Sequence, residues 1–197
     1  MTTAAAIVNQ ALALGDNQAF CSGTPGSFTD GTTQNVTGAA ANILYPIARD
    51  TLLRQLNPEF ARVTVAGATQ AVVTPVVPWS YEYEYPTDAV RIRQVRPPKT
   101  GTGSLADPND PQPIRAAVAY DPVPSAKVVL ANQQNALLVY TSNIVGEALW
   151  DASFVQAMTR MLANPLTMAL AGRPDFAREL LVESEQFASI AAENLEL

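Results

Sequence analysis

The chain has 197 residues, which suits one domain in one or two lobes, and its 48% of apolar residues is enough for a substantial core. Charged residues make up only 15%, against about 25% in an average soluble protein, so the surface is either covered by partners or rich in uncharged polar residues. A net charge of −6 without a basic run argues against a protein that grips nucleic acid, and the absence of histidine excludes an imidazole base, a Ser-His-Asp triad and a histidine metal ligand.

The first third of the chain predicts two helices separated by a loop. Residues 3–14 have a wide apolar face. Thr2 or Thr3 can cap this helix at its start, and Gly15 ends it. A loop rich in Gly, Ser, Thr and Asp follows, and residues 35–57 return to the helical period. Because that period runs through Pro46, we expect one bent helix; the alternative is a break, with Pro46 opening a new helix.

The middle of the chain changes to a period of two. Residues 79–85 alternate aromatic side chains with polar ones, which predicts a strand with one aromatic face and one acidic face. Residues 90–93 alternate aliphatic side chains with arginines. We expect a turn over 86–89 to join these segments as a hairpin. Its register would form a structural ladder of opposite charges, Glu84 with Arg91 and Glu82 with Arg93.

Further short strands are predicted on both sides of a long loop. The segments are 62–66, 71–77, 114–119, 127–131 and 136–141. The loop is the Pro- and Gly-rich stretch 97–113, whose length is typical of a functional or mobile segment.

The end of the chain returns to helix. Asp151 can cap a helix that is bent at Pro165, and a last helix covers about 174–195. The sequence as a whole therefore predicts an α+β fold with a bundle of about four helices, two N-terminal and two C-terminal, and short antiparallel strands. Residues 1–59 and 143–197 would form the helical body, and 60–142 an inserted β-rich lobe.

The carboxylates do not form a convincing site. Glu82 and Glu84 share a strand face, but neighbouring arginines explain them as a solvated ladder rather than as an acid–base pair. Asp107, Asp110 and Asp121 do not have the spacing of the twelve-residue calcium loop. We therefore predict no catalytic, cofactor or metal site, and no enzyme activity.

Several segments, taken in chain order, carry a resemblance to a known family. They are Ile7–Gly15, Leu44–Arg54 followed by Phe60-Ala61-Arg62, Tyr83–Asp88 with Val90-Arg91, Leu137–Tyr140 and Leu149–Ala157. The ordered set resembles the head-to-tail adaptor, or connector, proteins of tailed bacteriophages, in particular the tail tubular protein A type of short-tailed phages. Pro58-Glu59 stands where such adaptors often carry a Pro-Trp pair. The resemblance therefore leaves open whether the virus is short-tailed or long-tailed.

The resemblance implies a structural role in the virion. Identical subunits would form a ring, a dodecamer in this family, in the neck between head and tail after synthesis in the cytoplasm of the host bacterium. The ring would dock beneath the portal protein and receive a tail or nozzle protein. DNA would pass through it on ejection without specific binding, and no membrane or cofactor is implied.

The resemblance also implies that the last helix contacts the portal or a neighbouring subunit. The apolar candidates for this contact are Phe187, Ile190, Leu195 and Leu197. For Phe187 and Ile190, packing within the chain's own helical bundle is an equal alternative. For the last two residues it is a weaker one, because chain ends fray unless something holds them.

A different class of function is a small-ligand or carbohydrate-binding domain. Its stacking platform would be the aromatic strand face formed by Trp79, Tyr81, Tyr83 and Tyr85. Burial discriminates between the two hypotheses, because a platform needs these rings exposed together and a core needs them covered.

Overall fold

The computed structural model describes residues 3–17, 20–68, 77–98, 112–122, 125–171 and 174–195. These residues confirm the α+β prediction, with four α-helices and short antiparallel strands in two small sheets. The chain divides into a helical unit, 1–60 with 145–197, and a β unit, 61–144. The sequence placed these boundaries at 59/60 and 142/143.

The helical unit contains α1 (Ala4–Leu14), α2 (Val36–Leu56), α3 (Ala152–Ala171) and α4 (Pro174–Leu195). The Thr3 hydroxyl caps α1 by accepting from the Ala6 amide at 3.2 Å. As expected from the unbroken apolar period, α2 continues through Pro46, and α3 likewise continues through Pro165.

Helix α3 is central to the helical unit, because α1, α2 and α4 all pack against it. Its buried face repeats every four residues, with Phe154, Met158, Leu162 and Leu166. The end of α1 lies so close to α3 that a Cβ on Gly15 would overlap the Thr167 side chain, which explains the glycine at this position.

The β unit contains β1 (Arg62–Ala66), β2 (Tyr81–Glu84), β3 (Ala89–Arg96), β4 (Ala116–Asp121), β5 (Ala126–Ala131) and β6 (Leu137–Ser142). Sheet I has the order β1-β6-β3 and sheet II the order β2-β5-β4, with every pair antiparallel. One apolar cluster joins the sheets: Tyr83, Val129 and Ala131 of sheet II, Val95 and Leu138 of sheet I, and Ala136.

The predicted hairpin between β2 and β3 is wrong. β2 pairs with β5, so that Glu82 lies opposite Leu130, and β3 pairs with β6, so that Arg91 lies opposite Thr141. The turn at 86–89 therefore carries the chain from one sheet to the other, and Glu84 and Arg93 also belong to different sheets.

The energies of the two arrangements explain this correction. A cross-strand charge pair contributes roughly 0.2–1 kcal/mol. Burying one large apolar side chain contributes roughly 1.5–3 kcal/mol. Separating the strands lets Tyr83 face Val95 and Leu138 across the two sheets, and this outweighs a ladder of exposed charges.

The other predicted strands lie at their expected places where the structure describes them. β1 has the predicted bounds, and β4, β5 and β6 are shifted by at most two residues. The predicted strand 71–77, apart from residue 77, lies outside the described residues, and so does most of the 97–113 loop.

Candidate interaction surface

Helix α2 has apolar residues on two opposite sides. Ala41, Tyr45, Ala48 and Leu52 face the core. On the other side Val36, Ile43 and Ile47 are 54%, 64% and 59% exposed. Their spacing of seven and four residues aligns them along one side of the helix, and no charged residue occurs between Val36 and Ala48. We call these three residues the α2 stripe.

Tyr45 fixes the rotation of α2 and so directs the stripe away from the core. Its fully buried ring contacts the edge of Phe28, with centroids 5.6 Å apart. Its hydroxyl donates to Glu147 Oε1 at 2.9 Å. Burial, and then the Glu147 carboxylate, raise the pKa of Tyr45 far above its ordinary value, so the hydroxyl stays a neutral donor.

The start of α2 is capped from outside the helix. Asn35, at the cap position, has a left-handed backbone (φ 45°) and makes no side-chain cap. Asp30 supplies the cap, since its Oδ2 accepts from the Thr37 amide at 3.1 Å. Hydrogen bonds from Thr32, and then from Thr37, lower the pKa of Asp30, and its negative charge suits a helix N-terminus.

Two asparagines hold the segment that links α1 to α2. Asn42 accepts from the Phe28 amide at 2.8 Å and donates to the Phe28 carbonyl at 3.0 Å. Asn9 does the same for Cys21, at 2.7 and 2.9 Å. We call these contacts the asparagine clamps. They close the segment against the helices with neutral side chains.

Cys21 is fully buried at one of the clamps. Burial, and then the charge of Asp30, raise the pKa of its thiol, which lowers the fraction of nucleophilic thiolate. Its environment therefore fits a structural role.

The structure places the four α4 candidates only in part. The Arg160 guanidinium lies 3.6 Å from the centre of the Phe187 ring, so Phe187 contacts its own bundle. Ile190 and Leu195 belong to α4, but the structure describes only their backbone, and Leu197 lies outside the described residues. The exposed apolar residues of α4 among those described are Leu181 and Val182.

The aromatic strand face is not an exposed platform. Tyr83 is fully buried, and Tyr81 and Tyr85 pack against the same cluster. The Lys127 amine covers the Tyr85 ring at 4.8 Å, and the Arg115 guanidinium lies 5.5 Å from the Trp79 ring. The four rings are thus not exposed together, and the surface that a stacking ligand requires is not formed.

The described part of the chain offers little else that could bind a small ligand, a metal ion or a membrane. A groove of about 350 Å³ between α1 and α3 is lined by Gln10, Ala13, Leu14, Gln156, Thr159 and Arg160. No three acidic, histidine or cysteine side chains among the described residues are placed to hold a metal ion. None of the described helices is long and apolar enough to span a bilayer.

Comparison with known protein families finds no family that matches the chain. Comparison with curated proteins finds no match either.

The sequence does not single out the α2 stripe as a surface, because the apolar period of residues 35–57 does not tell which of the apolar side chains face the core. A signal was nevertheless present. Apolar residues occur nearly all round α2, and a helix with that pattern is covered on more than one side.

Proposed function

We propose that this chain is a structural adaptor that assembles into a ring between a phage portal and the tail and lets DNA pass through its centre. The observation that carries the proposal is the α2 stripe, an uncharged apolar surface about 60% exposed in the described structure. Soluble monomers rarely expose long apolar patches unless another molecule covers them.

The composition supports the same proposal. With only 15% charged residues, the chain has few charges that would have to lose their hydration when subunit surfaces meet. Contacts of the head-to-tail type close into rings when the rotation between neighbours permits, and many modest contacts then act together. The ordered resemblance to phage adaptors adds the partners: a portal ring on one side and a tail or nozzle protein on the other.

The test is assembly of the full chain on a portal ring encoded by the same genome. We expect electron microscopy of the mixture to show a second ring seated on the portal. Portal rings that stay bare at every ratio of the two proteins would overturn the proposal.

Ile43→Glu tests the contribution of the stripe. Each subunit would lose roughly 1.5–3 kcal/mol of apolar burial and would bring a charge into the contact, so we expect ring formation to fall at least tenfold. Gln55→Glu is the matched control, because it adds the same charge to an exposed site on the same helix. Equal assembly by both variants would exclude the stripe as the contact.

A further inference from the structure

The groove between α1 and α3 has the size of a small-ligand site. Its volume is about 350 Å³, within the roughly 300–1,000 Å³ of pockets that hold small molecules. Each helix contributes three residues at positions i, i+3 and i+4, which share one side of a helix. They are Gln10, Ala13 and Leu14 of α1, and Gln156, Thr159 and Arg160 of α3.

Part of the groove suits a hydrocarbon chain. Its α1 wall is apolar at Ala13 and Leu14, and Leu14 is 37% exposed in the described structure, whereas Ile7 of the same helix is fully buried. On the α3 wall, the Thr159 hydroxyl donates to the Val155 carbonyl at 2.8 Å, so its hydrogen bond is made within the helix. A ligand would therefore gain by covering apolar surface here.

Arg160 is the one charged residue among the six that line the groove. Its guanidinium is stacked on the Phe187 ring, 3.6 Å from the ring centre, which holds the charge in place. Nε is buried and has no hydrogen-bond partner in the described structure. Glu183 Oε2 lies 3.8 Å from Nε, too far for a hydrogen bond, and the Glu183 side chain is 46% exposed to water. The described contacts thus position the guanidinium without using up its donors.

Two carboxamides accompany this charge. Gln10 and Gln156 are both exposed and line the groove from opposite helices. Each carries two N–H donors, and a carboxylate can accept several hydrogen bonds at once. A guanidinium and two amides in one groove therefore form a donor set for an anionic oxygen pair.

We propose that the groove between α1 and α3 binds a small aliphatic monocarboxylate, with the carboxylate on Arg160 and the glutamine amides, and the hydrocarbon chain on Ala13 and Leu14. A guanidinium and a carboxylate match in charge and in planar geometry, so they can form two parallel hydrogen bonds. A purely apolar ligand would bury the guanidinium without an acceptor, and a cation would meet a like charge. The inference goes beyond the adaptor function and does not depend on it, because no residue of the α2 stripe lines the groove.

The first experiment titrates the full chain, isotope-labelled at the leucine methyl groups, with octanoate. We expect a saturable shift of the Leu14 methyl signals in NMR spectra, and weaker binding of butanoate, whose shorter chain covers less apolar surface. Octanamide is the matched probe, because it keeps the chain length and removes the charge. It should bind at least roughly tenfold more weakly. Equal binding of octanoate and octanamide, or unchanged Leu14 signals, would overturn the proposal.

Glu183→Gln tests the electrostatics of the site. Without the acid beside Arg160, octanoate should bind roughly two- to fivefold more tightly, because the ligand no longer meets a second carboxylate at the guanidinium. Glu185→Gln is the control, since it removes an exposed charge two residues further along α4, on another side of the helix. The same octanoate affinity in both variants would contradict binding at Arg160.

Arg160→Met should weaken octanoate binding at least roughly tenfold. If this variant does not fold, because the contact with Phe187 is lost, Gln156→Glu gives the same test at an exposed position of the groove. Its negative charge should weaken octanoate binding roughly threefold or more. Gln55→Glu, which adds the same charge to α2, should leave the affinity unchanged. Equal affinities of these two variants would refute the proposed site.

Discussion

The α1–α2 connection and the centre of the β unit satisfy their buried backbone groups by different means. In the helical unit, the neutral amides of Asn9 and Asn42 grip the backbone of the α1–α2 connection. In the β unit, ionisable side chains do the equivalent work. The Tyr83 hydroxyl donates to the Gln133 carbonyl and accepts from the Ala136 amide. The connection in the helical unit is thus held by amides that do not titrate, whereas the centre of the β unit is held by a phenol whose pKa burial raises above its ordinary value.

The Asp88 cluster shows the same preference at the turn between the sheets. Tyr140 donates to Asp88 Oδ1 at 3.0 Å, and Ser142 donates to Oδ2 at 2.7 Å. Burial, and then the bond to Asp88, raise the pKa of Tyr140 to about 12. The phenol therefore remains a donor over the whole physiological range.

The largest expected effect is the loss of the ring at the centre of the β unit. Tyr83→Ala should lower the free energy of unfolding by about 3–5 kcal/mol, because it leaves a cavity and removes the partner of two buried backbone groups. Tyr120→Ala should cost under about 1 kcal/mol, because this side chain, near the end of β4, is exposed. Urea denaturation measures both, and similar losses would mean that the tyrosine core is not what holds the sheets together.

A smaller effect is expected in the helical unit. Asn42→Ala should cost about 1–3 kcal/mol, since the buried Phe28 amide loses its acceptor. Hydrogen exchange at that amide should become faster. Gln55→Ala, exposed on the same helix, should change neither quantity. Unchanged protection of Phe28 would show that the clamp is replaceable.

The smallest effect concerns the one charged contact described at the start of α2. The pKa of Asp30 is lowered in the folded protein, so its contribution to stability is present above the ordinary value of 3.8 and is lost as the pH falls through the folded value. Asp30→Asn should remove this acid sensitivity, because an amide does not titrate. At neutral pH the Thr37 amide should exchange faster with solvent in this variant, because its acceptor has lost the negative charge. Asp16→Asn is the control and should leave that amide protected.

Local patterns explain how much of the fold the sequence revealed. The helix bounds follow from the apolar period and from residues such as Thr3 and Gly15, which act within a few positions along the chain. Strand positions follow equally from alternation. The pairing of β2 with β5 could not be read in this way, because it depends on apolar residues almost fifty positions away.

The candidate surfaces show the same limit. Sequence alone recorded that Ile43 and Ile47 are apolar but could not tell which side of α2 Tyr45 would anchor. Glu82 looked like a solvated ladder residue, since its burial depends on which strand lies beside it. The capping role of Asp30 was hidden because the residue lies outside the helix that it caps.

The pairing of the first and last strands of the β unit has a practical consequence. Arg62 lies directly opposite Thr141, so the points where the chain enters and leaves this unit are neighbours, with Cα atoms roughly 4.5–5.5 Å apart. An insertion with adjoining ends can be cut out and replaced by a short linker, or transplanted into a loop of another host, without stretching either backbone. The adjoining ends of residues 61–144 thus suit deletion of this unit, or its transfer to another protein, as one piece.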